Sequence, residues 1–260
     1  MRISVVTVSF NQGRFLRRAM DSVVSQSWPD KEYIVVDPGS SDDSRAIILG
    51  YGERVTHAIF EPDAGAADGL NKGFALTTGD ILCFLNSDDE FLPGAFERMA
   101  RAFEARPAAA LISGCGYFID EQGRRGARIV PTRLSVADYL HGAYTLFQQG
   151  TFFRRRCWNE AGGFNKENRT CWDGELFFQF VRAGLQHDII YEDVAQFRIH
   201  AASITGSGRL EAMYLRDTQR IFENAKGRPK HRGDELISTC LRATKVLRHP
   251  RYALERLRPR

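Results

Sequence analysis

The chain has 260 residues, 43% of them hydrophobic and 26% charged, which is enough for a buried core and excludes a chain disordered by composition. Its net charge of +4 is uneven: residues 226–260 carry eleven Lys/Arg and three Asp/Glu, a surplus of +8, leaving 25 basic and 29 acidic groups, or −4, elsewhere. No apolar run reaches the ~20 residues that span a bilayer, and the five widely spaced cysteines form no CxxC pair, so buried reduced thiols are expected.

The opening MRISVVTVSFNQ is too short for a secretory h-region and alternates like a strand, which sets a cytoplasmic expectation. Ile3–Ser9 reads as a buried strand. Over Arg14–Ser27, Phe15, Leu16, Ala19, Met20, Val23 and Val24 share a helical face, and Trp28-Pro29 stops that helix. Strands follow at Glu32–Asp37, Val55–Phe60 and Ile81–Leu85, with helices at Ser44–Gly50, Ala66–Thr77 and Pro93–Ala105. Four alternations with continuous apolar strands predict an α/β fold built on a parallel sheet covered on both faces. Further on, Ala110–Ile119 and Ala195–Ile199 read as strands, Val136–His141 as a short helix, and Gln179–Ala183 as part of a helix beginning near Asp173.

Ligands of such sheets bind beyond the carboxyl ends of the strands. Polar residues gather there: Ser9-Phe10-Asn11, then Asp37-Pro38-Gly39-Ser40-Ser41-Asp42, Glu61-Pro62-Asp63-Ala64-Gly65, Asp68-Gly69-Leu70-Asn71-Lys72-Gly73 and Asn86-Ser87-Asp88-Asp89. Asp37 can accept from a ribose hydroxyl or a base N–H, and Phe10 offers a base an aromatic face. Asp88 and Asp89 supply the hard oxygens that Mg²⁺ or Mn²⁺ requires. Each run also has a plainer reading, since DPGSSD is a turn with a helix cap and Ser87-Asp88-Asp89 can cap the next helix.

In this order the motifs resemble the family 2 glycosyltransferases, inverting enzymes of GT-A fold. The similar stretches are ISVVTVSFNQ, YIVVDPGSSDDS, EPDAGAADGLNKGFALTTGDILCFLNSDDEFLPGAF, QQGTFFRRRCWNEAGGFN, CWDGELFFQFVRAGL and FRIHAASIT, with the third especially like members that build bacterial surface polysaccharides. The resemblance implies a Rossmann-like, mostly parallel central sheet flanked by helices. It implies a glycosyltransferase domain over 1–225, with a nucleotide-binding part to about 115 and an acceptor part after it, and a basic helical tail over 226–260.

The resemblance also assigns roles. Ser9, Phe10, Asn11 and Asp37 would hold the nucleoside, and Asp68, Asn71, Lys72 and Asp88 the rest of a nucleotide-sugar donor, with UDP favoured. Asp89 and His200 would bind Mn²⁺ or Mg²⁺, with Ser203 near the same group. Asp173 would be the general base, with Glu175 as the fallback. The sequence departs from the family pattern at Pro38, Gln148, Asn165 and Trp172, and the last three lie toward the acceptor. A carbohydrate or lipid-linked acceptor is the expectation.

Two rival readings are a sugar-nucleotide pyrophosphorylase and an inactive nucleotide-binding protein. SFNQGR is not the Gly-rich loop the first needs, and intact Asp37, Asp88, Asp89 and Asp173 argue against the second. In the tail, Leu236, Ile237, Cys240, Leu241 and Leu247 fall on one helical side and Arg242, Lys245 and Arg248 on another, followed by Tyr252, Leu254, Leu257, Arg258 and Arg260. One reading packs the apolar side on the body. The other lays the tail on the anionic inner face of the plasma membrane as a peripheral contact. Nucleic acid is not expected, because Tyr252 alone interleaves with the charges.

Overall fold

The computed structural model describes residues 1–201, 203 and 210–256. Ala202, Ile204 and Thr205 of the HAASIT run, and Leu257, Arg258 and Arg260 of the tail, lie outside the described residues. Strands β1 (Ile3–Val8), β2 (Lys31–Val36), β3 (His57–Ile59) and β4 (Ile81–Asn86) alternate with helices α1 (Gly13–Val24), α2 (Ser44–Leu49) and α3 (Ala66–Ala75). These four strands run parallel, and their register pairs Val8 with both Val36 and Asn86, and Val36 with Ile59. Their carboxyl ends therefore form one row, and the polar runs seen in the sequence leave from it.

The chain continues through β5 (Glu90–Phe91), α4 (Ala95–Ala105), β6 (Leu111–Ile119), β7 (Arg125–Ile129), α5 (Val136–Leu140), β8 (Thr151–Arg154), α6 (Arg155–Ala161), α7 (Trp172–Arg182) and β9 (His187–Arg198). Among the described residues the sheet has nine strands in the order β3-β2-β1-β4-β8-β6-β9-β5, with β7 paired to β6. Antiparallel β8 joins β4 to β6, and β9 runs parallel to β6. The result is the expected α/β fold with a mostly parallel central sheet between helices.

Alternation along the strands sends side chains to two apolar layers. Ile3 and Val5 face α1, α2 and α4, where Leu16, Met20, Ile48 and Phe96 are buried. Val6 faces α3 and α7 on the other side, where Leu70, Phe74, Leu176 and Phe177 are buried. The helix expected from Pro93 begins at Ala95 because Gly94 takes a left-handed φ of 73°, which no α-helix accommodates. The strand expected at Ala195 begins at His187, where it already pairs with Leu111 of β6.

The described tail forms α8 (Glu211–Lys226), α9 (Arg232–Ala243), α10 (Lys245–Arg248) and α11 (Pro250–Arg256). All five cysteines are free thiols; Cys83, Cys115 and Cys157 are buried as expected, Cys171 is half-buried, and Cys240 is exposed on α9. None of the described helices is long and apolar enough to cross a membrane.

The seam between β6 and β9 leaves no room at Gly116. A Cβ there would stand 2.1 Å from the Ala195 carbonyl oxygen and 2.5 Å from the Phe147 ring. Gly116→Ala should therefore cost about 1–3 kcal/mol of stability by overpacking. A urea unfolding midpoint equal to that of the wild type would show that the seam can give way.

Candidate active site

A cavity of about 550 Å³ opens beyond the row of strand ends. Its walls include Ser9, Phe10, Pro38, Asp63, Asp88 and Asp173. Phe10 is 59% exposed at its rim, a large apolar ring held in solvent beside a polar wall. Ser9 is buried, and among the described residues its Oγ has no hydrogen-bond partner. A buried hydroxyl left in that condition suits a ligand that would satisfy it.

Of the residues expected to touch the donor, Ser9, Phe10 and Asp88 line this cavity. Asn11, Asp37, Asp68, Asn71 and Lys72 do not; they brace the loops that form its walls. Asp37 accepts from the backbone N–H groups of Gly39 and Ser40 at 3.0 and 2.7 Å and from Ser40 Oγ at 2.7 Å. Asn11, with φ of 53°, accepts from Ser41 N–H at 2.8 Å and so ties the end of β1 to the β2–α2 loop. Asn71 donates to Phe164 O at 2.9 Å and accepts from Phe164 N–H at 2.8 Å. Lys72 donates to Pro62 O at 2.5 Å, and Asp68 pairs with Lys166 at 3.3 Å.

Asp63 is a wall residue to which the sequence reading gave no role. It follows β3 as Asp37 follows β2, so the strand-end rule could have selected it. Burial raises its pKa, against the pull of the Gly65 N–H that donates to Oδ1 at 2.8 Å.

The adjacent carboxylates Asp88 and Asp89 face different surroundings. Asp89 is fully buried, with Oδ1 accepting from Arg198 N–H at 2.9 Å and Oδ2 from Gln149 Nε2 at 2.8 Å. Its oxygens are thus already engaged, and it lies behind the cavity wall. Asp88 lines the cavity, and its Oδ2 lies 3.0 Å from His200 Nε2. Of the two, Asp88 is the one that faces the cavity. Among the described residues no third His, Cys, Asp or Glu completes a cluster. One oxygen and one nitrogen donor still fit a cation that takes few protein ligands and fills its shell with phosphate and water.

Asp173 is the second residue of α7, not its N-cap; that position belongs to Cys171. Burial raises its pKa, partly offset by the Gly174 N–H. Glu175 is committed elsewhere. It takes Arg220 in a fork at 2.9 and 2.8 Å and accepts from Asn168 at 2.7 Å. Burial pushes its pKa up, but these donors outweigh that and hold it below the usual range. The fallback base is thereby disfavoured.

A second cavity of about 340 Å³ adjoins the first. Both are lined by Gln148, Gln149, Asp173 and Phe197. The second is otherwise mostly apolar, with Phe118, Val130, Leu146 and Tyr252 in its walls.

The fold is that of the GT-A glycosyltransferases. Mannosyltransferase PcManGT from Pyrobaculum calidifontis, solved with GDP-Man and Mn²⁺, superposes with a TM-score of 0.66 at 16% identity, covering 98% of this chain and 72% of that one. S. aureus TarS 1–349, solved with UDP-GlcNAc, superposes with a TM-score of 0.72 at 14% identity, covering 96% of this chain and 72% of that one. The sequence model of glycosyl transferase family 2 matches residues 4–190, and the chain belongs to that family. An uncharacterized glycosyltransferase of Mycobacterium tuberculosis is 31% identical over 185 residues, covering 68% of each chain. A Nostoc relative of the same description is 28% identical over 214 residues, and the match spans 78% of this chain and 66% of that protein.

The buried Arg198 holds this site's frame. Its guanidinium donates to Asp88 O at 2.8 Å, Asp120 O at 2.7 Å and the Glu90 carboxylate. Arg198→Ala should cost about 3–5 kcal/mol, as expected when one partner of a buried charge network is removed. Denaturant unfolding checks this, and a loss below about 1 kcal/mol would mean the network is dispensable.

Proposed function

We propose that the protein transfers a sugar from a nucleotide-diphosphate donor, with UDP favoured, to a carbohydrate or lipid-linked acceptor, with inversion at the anomeric carbon and Asp173 as general base. One observation carries the proposal: Asp173 is shared by the two adjoining cavities. A base that deprotonates an acceptor while it attacks a donor must stand between them.

In this reading residues up to about 115 supply most of the donor site, residues 116–225 most of the acceptor side, and residues 226–260 form a separate tail. The nucleoside lies against Phe10, with Ser9 and Asp63 as polar contacts. Asp88 and His200 would hold Mn²⁺ or Mg²⁺. A divalent cation there would offset the charge that gathers on the leaving diphosphate.

The acceptor hydroxyl enters from the second cavity and bonds to the anomeric carbon. Its proton passes to the Asp173 carboxylate as the bond to the diphosphate oxygen breaks and that oxygen keeps the electron pair. A raised pKa makes the ionised Asp173 a stronger base. Its place in the first turn of α7 also favours the charged form.

Asp173→Asn should lower transfer by about 10²–10⁴-fold and leave nucleotide affinity near wild type. In the wild type, the rate should fall as pH drops through the raised pKa, at a pH above the ordinary value of about 3.9. A carboxyl with a raised folded-state pKa loses stability as pH rises from its ordinary value of about 3.9 through the raised one, and that cost persists above it, so the Asn variant should be no less stable at neutral pH. Full transfer by the variant would remove Asp173 from the role. For Asp88→Asn, calorimetric titration of UDP with and without Mn²⁺ should show loss of the metal-dependent gain in affinity. An undiminished gain would place the metal elsewhere.

A further inference from the structure

The tail presents its apolar side to solvent. Its polar and basic side chains grip the body instead: Ser238 Oγ lies 3.1 Å from His141 Nδ1, Arg242 donates to Gly142 O at 3.3 Å, and Lys245 donates to Thr145 Oγ1 at 2.6 Å. Arg248 pairs with Asp138 at 2.6 Å, and Arg128 with Glu255 at 2.6 Å. On α9 and α10, Leu236 is 69% exposed and Leu247 80%, with Ile237, Cys240 and Val246 exposed between them; Leu254 of α11 is 65% exposed. A helix pair that only packed on the body would bury these residues, whereas here they stand in solvent beside the exposed Arg232, Arg242, Arg248 and Arg251.

We propose that this outward apolar stripe seats on an anionic lipid surface and brings the second cavity to a lipid-linked acceptor. Charge selects that occupant. Residues 226–260 carry the +8 surplus, which complements anionic headgroups. A second copy seated on the same face would oppose one basic tail to another, and like charges disfavour that pairing. The stripe is also coupled to the cavity. Lys245 holds Thr145 and sits 4.8 Å from the centre of the Tyr252 ring, and both residues line the second cavity. The link to the acceptor rests on the reading of Asp173 given above, whereas the lipid contact does not.

The test is flotation of the full chain with vesicles of phosphatidylcholine alone or mixed with phosphatidylglycerol, in low and high salt. Binding should need the anionic lipid and weaken with salt, since each basic residue near the surface contributes roughly a fivefold gain. The double variant Leu236→Glu/Leu247→Glu alters exposed side chains only and should lose about a hundredfold in vesicle affinity. Equal binding to neutral vesicles, or unchanged binding by the variant, would overturn the proposal. So would a wild-type dimer, seen by light scattering, that ignores vesicles and becomes monomeric in the variant. UDP titration and donor hydrolysis without vesicles report on the donor site separately. If they fail while flotation succeeds, the catalytic reading falls and the lipid contact stands.

Discussion

A carboxylate enclosed by protein must find its donors within the protein, and Asp89 does so on three separate segments. Its oxygens take Arg198 N–H at the end of β9, Gln149 from the turn before β8, and Asn86 at the end of β4 at 3.4 Å. Arg198 then reaches back to Asp88 O and across to Asp120 O on the β6–β7 connection. In a low-dielectric interior such a network is costly to leave half made, so its members hold one arrangement together. That arrangement sets Asp88 at the cavity wall and, two residues past Arg198, sets His200 against it. The two donors come from residues 112 apart in sequence, and the buried pair behind them fixes their spacing.

The first four strand–helix alternations were legible because each strand is an unbroken apolar run and each helix carries a clear stripe. The later sheet was harder to read. Strand β7, RGARI, mixes two arginines with small residues at an edge, and β8 spans only Thr151–Arg154 before α6 begins. Neither gives the apolar signal that marked β1 to β4, and β5 has only two residues. Their pairing comes from contacts across long stretches of chain, which local pattern does not encode.

The site was legible as a neighbourhood more than as a set of contacts. Strand ends predicted which loops gather, and those loops do gather. Which way a side chain turns within a loop depends on where its hydrogen-bonding atoms find partners. Asp37 finds two N–H groups and a hydroxyl in its own turn, and Asn71 finds both backbone groups of Phe164, so both turn into the wall. Asp88 and Asp89 are neighbours with opposite surroundings, and sequence spacing could not separate them. The tail poses the same question at larger scale: its pattern defines an apolar and a basic side but not which one meets the body. Asp138, Gly142 and Thr145 on the body supply acceptors, so the basic side does.

Tyr252 belongs to the wall of the second cavity, yet it lies some sixty residues past the end of the segment that the family model matches. Phe10, Asp63 and Asp88, in the wall of the first, all fall inside that segment. The second cavity therefore takes one wall from beyond that segment, while most of its other lining residues fall inside it. A lineage can remodel α11 and so reshape the second cavity without disturbing those first-cavity residues. Exchanging the last thirty or so residues between relatives would replace the Tyr252 wall of the second cavity while leaving the strand-end machinery intact.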